Sequence, residues 1–485
     1  MENKNSKPLC PPVGAAAIPI LFLLLALLTC IFTLGAGSVL DLSPWLLLTA
    51  ALIGIITARL TTRRRPAHIL SGLRKSARQI VPAYPILLLI GTLSATWMIS
   101  GVVPMLIDYG VRMLYPPAFL PLACIVCALI SVVTGSSWTT IATIGVAFIG
   151  IGTVLGYPAA WVAGAIISGA YFGDKVSPLS DTTVLASSTV GVDLFTHIRN
   201  MMVTTVPAIS LALIVYAIVG WFTPISPQSQ ISEITEAIRS TFNLSPWLLL
   251  VPVTTCTLIA CRVNTVITLA AGTVAGMIAA VILQPGLFAE AAADLWGPVA
   301  AFRIMLTGST LSTGNDLLDP LLQTSGAVGM LPTVLLVTAA MIFGGVMIGS
   351  GMLASITQAL IRRIHRPVAL IASTVCGGCF LNTTTGDQYI SLIIGGNLFH
   401  SAYRRAGLPP HTLSRTLEDS TSVTSVLIPW NSCGMTQSTV LGVSTVIYAP
   451  CCIFNVLSPI MSVVVAAILY RRRRPCLSLT PSENK

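Results

Sequence analysis

The chain has 485 residues, 54% of them hydrophobic and only 9% charged, with a mean hydropathy of +0.87 and a net charge of +10. A soluble domain carries roughly 25% charged residues, so a water-soluble enzyme or binding module is excluded and an integral membrane protein is indicated. The positive charge does not point to nucleic acid, because it lies in a few short connections between apolar runs.

In chain order, apolar runs occupy 17–34, 44–60, 83–107, 119–134, 141–155, 161–172, 201–222, 246–262, 266–283, 330–350, 368–380, 390–398, 423–441 and 448–470. A helix needs about 20 apolar residues to cross a bilayer. The pattern predicts an all-α polytopic membrane transporter, one domain over 17–472 between tails at 1–16 and 473–485. The first run follows Lys4 and Lys7, as a signal peptide would, but it is long, Leu-rich and followed at once by another run. It reads as the first transmembrane helix. Several runs of 9 to 16 apolar residues beside Gly, Ser, Thr and Asp are too short to cross alone. They read as broken helices and re-entrant hairpins, which a bilayer tolerates only where protein or water satisfies the open backbone.

Seven Lys and Arg fall between Arg59 and Arg78 without an acid, three between Arg362 and Arg366, three between Arg404 and Arg415, and four at Arg471 to Arg474. The positive-inside rule places these connections, and with them both termini, in the cytoplasm. Glu233, Glu236, Glu290, Asp294, Asp316 and Asp319 mark two polar segments expected on the other side. Most of the twelve cysteines lie in apolar runs and read as small packing residues. The C-x-x-C spacings at Cys124/Cys127 and Cys376/Cys379 have no His close by for a zinc site.

The halves echo each other. Met98-Ile-Ser-Gly101 matches Met347-Ile-Gly-Ser-Gly351 at an offset of 250, and Gly135-Ser136 matches Gly386-Asp387 at 251. Leu179-Ser-Asp-Thr-Thr183 matches Leu417-Glu-Asp-Ser-Thr421 at 238. Three matches in one order predict an internal repeat, about 83–222 and 330–470. Run 83–107 leaves a basic connection whereas 330–350 approaches one, so the repeats are expected to be inverted, with the site where their broken helices meet. The heptapeptide Leu-Ser-Pro-Trp-Leu-Leu-Leu, identical at 42–48 and 244–250, reads as an interfacial anchor outside the repeat.

An ionisable group at a helix centre in a bilayer costs about 2.5–3.5 kcal/mol unless paired or wet. Asp108, Asp174, Lys175, Asp181, Asp387, Glu418 and Asp419 therefore stand out. Gly173 and Pro178 beside Asp174 and Asp181 predict an unwound break with open carbonyls. Those carbonyls, the hydroxyls of Ser177, Ser180, Thr182 and Thr183, and a carboxylate form the hard oxygen set that a small alkali cation needs. Asp181 is the leading ion-binding and proton-coupling residue. Lys175 is expected to pair with Asp174. Asp419, with Ser420 and Thr421, is expected as the repeat partner of Asp181, flanked by Glu418 and reachable by Arg415 one helical turn earlier. The hairpin tips would supply Ser136, Ser137 and Thr139 on one side, and Asn382 and Asp387 on the other. Asp108 reads as structural, and His197, His365, His400 and His411 sit in or beside loops, with pH sensing a minor possibility for each.

These residues carry a likeness. Trp97-Met-Ile-Ser-Gly101, Thr134-Gly-Ser-Ser-Trp-Thr-Thr140, Ser168-Gly-Ala-Tyr-Phe-Gly-Asp-Lys175, Ser177-Pro-Leu-Ser-Asp-Thr-Thr183, Gly386-Asp-Gln-Tyr389, Leu413-Ser-Arg-Thr-Leu-Glu-Asp419 and Ile428-Pro-Trp-Asn431 occur along nearly the whole chain. In them the chain resembles the NhaC-type sodium/proton antiporter family. The resemblance implies exchange of Na+ for H+ across a bacterial cell membrane. Family members often continue Ser-Asp-Thr-Thr with Asn, where this chain has Val184. The expected partners are Na+, H+ and the lipid bilayer, with no nucleic acid and no cofactor. No His-Glu-x-x-His helix, no Gly-x-Ser-x-Gly elbow with partners and no Gly-x-x-x-x-Gly-Lys phosphate loop is present, which speaks against an enzyme and against ATP coupling. The alternative is a sodium- or proton-coupled organic-acid exchanger of the malate/lactate type, for which Lys175, Arg415 and Asn382 would face the carboxylate.

Overall fold

A computed structural model describes residues 10–34, 39–62, 66–224, 226–261, 263–292, 295–311, 319–361 and 366–470. Lys4, Lys7, Asp294, Asp316, Arg362, Arg363, His365, Arg471 to Arg474 and the 473–485 tail lie outside them. Every regular element among the described residues is helical. Among the described residues, ten helices are long and apolar enough to cross a membrane, or up to 11 with one bent pair counted as a span.

The runs predicted as short are longer in the structure. Helices Ala159–Val176, Pro367–Thr385 and Gln388–Arg405 have 18, 19 and 18 residues. The apolar windows stop at Asp174, Asn382 and His400, where polarity rises. The helices continue because several of the polar residues there, Lys175 and Asn382 among them, are buried against protein and find partners.

Small residues let these helices approach closely. Helix Ala159–Val176 lies on Phe119–Thr134 so tightly that a Cβ on Gly169 would sit 2.0 Å from the Cys124 carbonyl oxygen, and one on Gly173 2.3 Å from that of Ala128. Gly72 of helix Pro66–Ile80 meets the Gly345 carbonyl in the same way, at 2.3 Å.

Backbone landmarks recur through the two halves. Left-handed glycines pair as Gly101 with Gly351, Gly135 with Gly386, Gly156 with Gly407, and Gly191 with Gly442, the first 250 residues apart and the others 251. Helix N-caps keep the same spacing: Ser136 with Asp387, Ser180 with Asn431, and Asp193 with Ser444. This register corrects the third sequence match. Asp181, first residue of Asp181–Val190, corresponds to Ser432, first residue of Ser432–Leu441, and Asp419 corresponds to Ser168. The 238 offset aligned similar letters across different parts of the two broken helices.

The shared heptapeptide also folds in two ways. Residues 42–48 lie within helix Val39–Thr61, whereas in the second copy Pro246–Leu249 forms a 3-10 turn before Leu250–Ala260. Both tryptophans, Trp45 and Trp247, are exposed, as an interfacial anchor requires.

Gly169→Ala should destabilise the detergent-solubilised protein by about 1–3 kcal/mol through overpacking. Gly286, whose Cβ would meet nothing within 4 Å, should accept Ala without loss, and a thermal-unfolding comparison of the two variants reads the difference.

Candidate ion-binding site

Each half contributes a hairpin and a helix broken beside the hairpin's tip. In the first half, Gly135 ends Phe119–Thr134 in a left-handed turn and Ser136 caps the next helix, its Oγ accepting from the Thr139 amide at 3.3 Å and the Thr139 hydroxyl at 3.1 Å. The Ser137 amide and hydroxyl donate to Asp174 Oδ2 at 3.2 and 2.7 Å, tying the tip to the end of Ala159–Val176. In the second half, Asp387 caps Gln388–Arg405 by accepting the Ile390 amide at 3.0 Å. The Ser432 hydroxyl donates to the other Asp387 oxygen at 3.3 Å, and the Ser432 amide donates to the Gly386 carbonyl at 2.8 Å. Hairpin tips thus satisfy the polar groups that a broken helix leaves open.

The halves meet at an ion pair. Lys175, 1% exposed, in the last turn of Ala159–Val176, donates to Oδ1 of Asp419, 0% exposed, and its Nζ lies 3.0 Å from the Ser458 hydroxyl. Thr204 and Ser458 donate to the same Asp419 oxygen at 3.1 Å each. The ammonium also lies 5.7 Å from the centre of the Phe454 ring, a cation–π contact. Asp419 sits in a π-helical turn, Glu418–Ser422, a wide turn of the kind frequent at functional sites. The turn places Glu418 within electrostatic reach of both Lys175 and Asp174.

Around this pair, polar atoms are buried without a protein partner: both carboxylate oxygens of Glu418, Oδ2 of Asp419, Oγ1 of Thr421, Oγ of Ser422 and Oδ1 of Asn382. All six are oxygens. The Asn382 amide nitrogen bonds the Thr421 carbonyl, and Thr424 Oγ1 at 3.1 Å, which fixes that residue's oxygen as the free end. Four of the six are acceptors only and two are hydroxyls, an oxygen set of the kind that a hard cation takes.

Several expected pairings differ. Lys175 bonds Asp419 across the halves instead of Asp174 beside it, because Asp174 is already held by Ser137. Arg415, 2% exposed, bonds Asn200 Oδ1 at 3.0 Å instead of Asp419, whose Oδ1 is occupied by Lys175, Thr204 and Ser458. Asp181 is exposed, while Thr182 and Thr183 beside it are buried. The Ser180 and Thr182 hydroxyls lie 3.0 Å apart, and Thr183 donates to the Lys175 carbonyl at 2.9 Å. Ser420 donates to the Thr416 carbonyl at 2.6 Å and so serves its own helix. Asp108 is clamped by Arg239 through two bonds of 3.1 Å and by Arg112 at 3.3 Å, a structural role. Sequence reasoning missed Thr204 and Ser458. Both lie in long apolar helices, and the signal available was a polar residue within three positions of an internal proline, Pro207 and Pro459.

A helical membrane protein with two broken helices meeting at a buried ion pair belongs to the class of polytopic transporters. The pattern of the Na+/H+ antiporter family matches residues 169–468. The chain is 38% identical over 379 residues to the Na+/H+ antiporter NhaC of Alkalihalophilus pseudofirmus, covering 78% of this chain and 80% of that protein. It is 33% identical over 459 residues to the arginine/ornithine antiporter ArcD of Halobacterium salinarum, covering 94% and 92%. It is 35% identical over 367 residues to the malate-2H+/Na+-lactate antiporter of Bacillus subtilis, covering 75% and 76%. The chain belongs to the Na+/H+ antiporter family.

Removing one member of a buried pair leaves the other charge unpaired, a loss of roughly 3–5 kcal/mol. Lys175→Met and Asp419→Asn should each lower the unfolding temperature markedly, and the double variant should recover most of the loss. Equal and additive losses would show that the pair does not couple the two halves.

Proposed function

We propose that the protein exchanges Na+ for H+ across a bacterial cell membrane by alternating access, with the two halves as inverted repeats and both termini cytoplasmic. The observation that carries this reading is the ring of unpartnered oxygens around the Lys175–Asp419 pair. Asp174, Glu418 and Asp419 supply three carboxylates against the ammonium of Lys175 and the guanidinium of Arg415, so the ionised site carries a net negative charge that attracts a cation. Sodium takes the free oxygens of Glu418 and Asp419, with the hydroxyls of Thr421 and Ser422 and the Asn382 carbonyl completing the set. A proton on the same carboxylates removes the charge that holds sodium. Either occupant lowers the site's net charge, which eases movement of one half against the other through a low-dielectric interior. Asp387, Ser136 and Thr139 hold the hairpin tips in place, and no resident cofactor or enzymatic step is needed.

A second reading has one specific observation behind it. Arg415 is buried with its Nε and Nη2 unpartnered, the same edge with which Arg239 grips Asp108. That edge suits a carboxylate, and two relatives are named for exchanging carboxylate-bearing substrates.

In vesicles holding a pH dye, an imposed Na+ gradient should drive a proton flux that reverses when the gradient is reversed. Asp419→Asn and Asp174→Asn should abolish it, whereas Asp181→Asn should retain most of it. Flux that survives Asp419→Asn but not Asp181→Asn puts the site at the exposed carboxylate. Flux that requires malate, lactate or arginine favours the second reading.

A further inference from the structure

Asp419 lies deep in the protein, and the mechanism above leaves open how a proton reaches it. Helix Leu194–Phe222 runs beside Pro410–Leu417 and the π turn, and their facing polar residues pair in ascending order. His197 Nδ1 lies 2.8 Å from the Ser414 hydroxyl, Asn200 Oδ1 accepts from Arg415 at 3.0 Å, and Thr204 donates to Asp419 at 3.1 Å. Positions 193, 197, 200 and 204 share one face of an α-helix. The seam begins at Asp193, the exposed N-cap of its helix, with the partly exposed His411 at the start of the facing one. At 1.5 Å per residue, Asp193 to Thr204 spans about 16 Å, roughly half the hydrocarbon thickness of a bilayer.

Within the seam, polar atoms lack protein partners: His197 Nε2, Asn200 Nδ2, and Nε and Nη2 of Arg415, with the two Glu418 oxygens at its inner end. Buried polar atoms of this kind are where internal water binds. His197 is fully buried. Ser414 lies against its Nδ1, which leaves Nε2 as the ring nitrogen without a protein partner. The charged groups facing the seam are Lys175 and Arg415, positive, and Asp419 and Glu418, negative. The fixed Arg415 charge disfavours a hydrated sodium ion there, so the seam does not double as the sodium path.

We propose that this seam is the route by which protons reach Asp419, with His197 Nε2 taking the proton from water on the Asp193 side and releasing it to water held by Asn200 and Arg415. The proposal rests on the Na+/H+ exchange reading. His197 bonds Ser414 and neither Lys175 nor Asp419, so the transport of sodium itself does not require it.

The test separates the two ions. In vesicles, exchange of radiolabelled Na+ for Na+ at equal pH needs no proton, whereas a Na+-driven pH change does. His197→Gln should leave Na+/Na+ exchange near that of the native protein and slow Na+/H+ exchange by roughly 10²-fold, the low end for loss of a positioned proton carrier. His197→Ala should behave alike, and added imidazole should restore part of its proton flux. Unchanged Na+/H+ exchange in both variants overturns the proposal. So does joint loss of both exchanges without rescue by imidazole, which assigns His197 a structural role. Absence of Na+/H+ exchange in the native protein contradicts the exchange reading instead.

Discussion

Taking a lysine and an aspartate out of water costs several kcal/mol for each ion, and their attraction repays this only with good geometry and further hydrogen bonds. The Lys175–Asp419 pair has both, through Thr204, Ser458 and the face of Phe454. It joins a residue of the first half to one of the second, so one contact contributes both to the register of the halves and to the charge of the site. A cation that competes for Asp419, or a proton that neutralises it, acts on the same contact that holds the halves in register. Binding and movement are thereby coupled without a separate relay.

The rest of the architecture serves to keep lipid from that contact and to satisfy the backbone around it. Each broken helix ends against the tip of its own hairpin, where Ser137 holds Asp174 and Asp387 faces Ser432. Glycines at 169 and 173 bring Ala159–Val176 onto Phe119–Thr134 at backbone distance, which leaves no room for lipid between the two helices. The recurrence of left-handed turns and caps at 250 or 251 residues shows one helical plan used twice with different chemistry. Where the second copy has Asp419 the first has Ser168, and that serine bonds the Tyr216 hydroxyl at 2.7 Å.

Much of this was legible in the sequence for physical reasons. Scarce charges in an apolar chain mark their own importance, which singled out Lys175, Glu418 and Asp419, and Gly135 with Gly386 gave the repeat register. Partner choice was not legible. Sequence neighbours suggested Lys175 with Asp174 and Arg415 with Asp419, but side chains 244 residues apart meet instead, and only packing decides that. Asp181 drew attention because it sits among Ser177, Ser180, Thr182 and Thr183 beside Pro178, yet a helix's first residue is free to face outward, and this one is exposed. Long apolar helices hid Thr204 and Ser458, since one polar residue in a hydrophobic run is a weak signal until the helix opposite is known.

The central claim is that sodium and protons compete for the carboxylates around Lys175. Calorimetric titration of the purified protein with Na+ over a range of pH tests it most directly. The account predicts sodium affinity that weakens steadily as pH falls, with protons released on binding, both diminished in Asp419→Asn. Sodium affinity that is independent of pH, with no proton released, would contradict it.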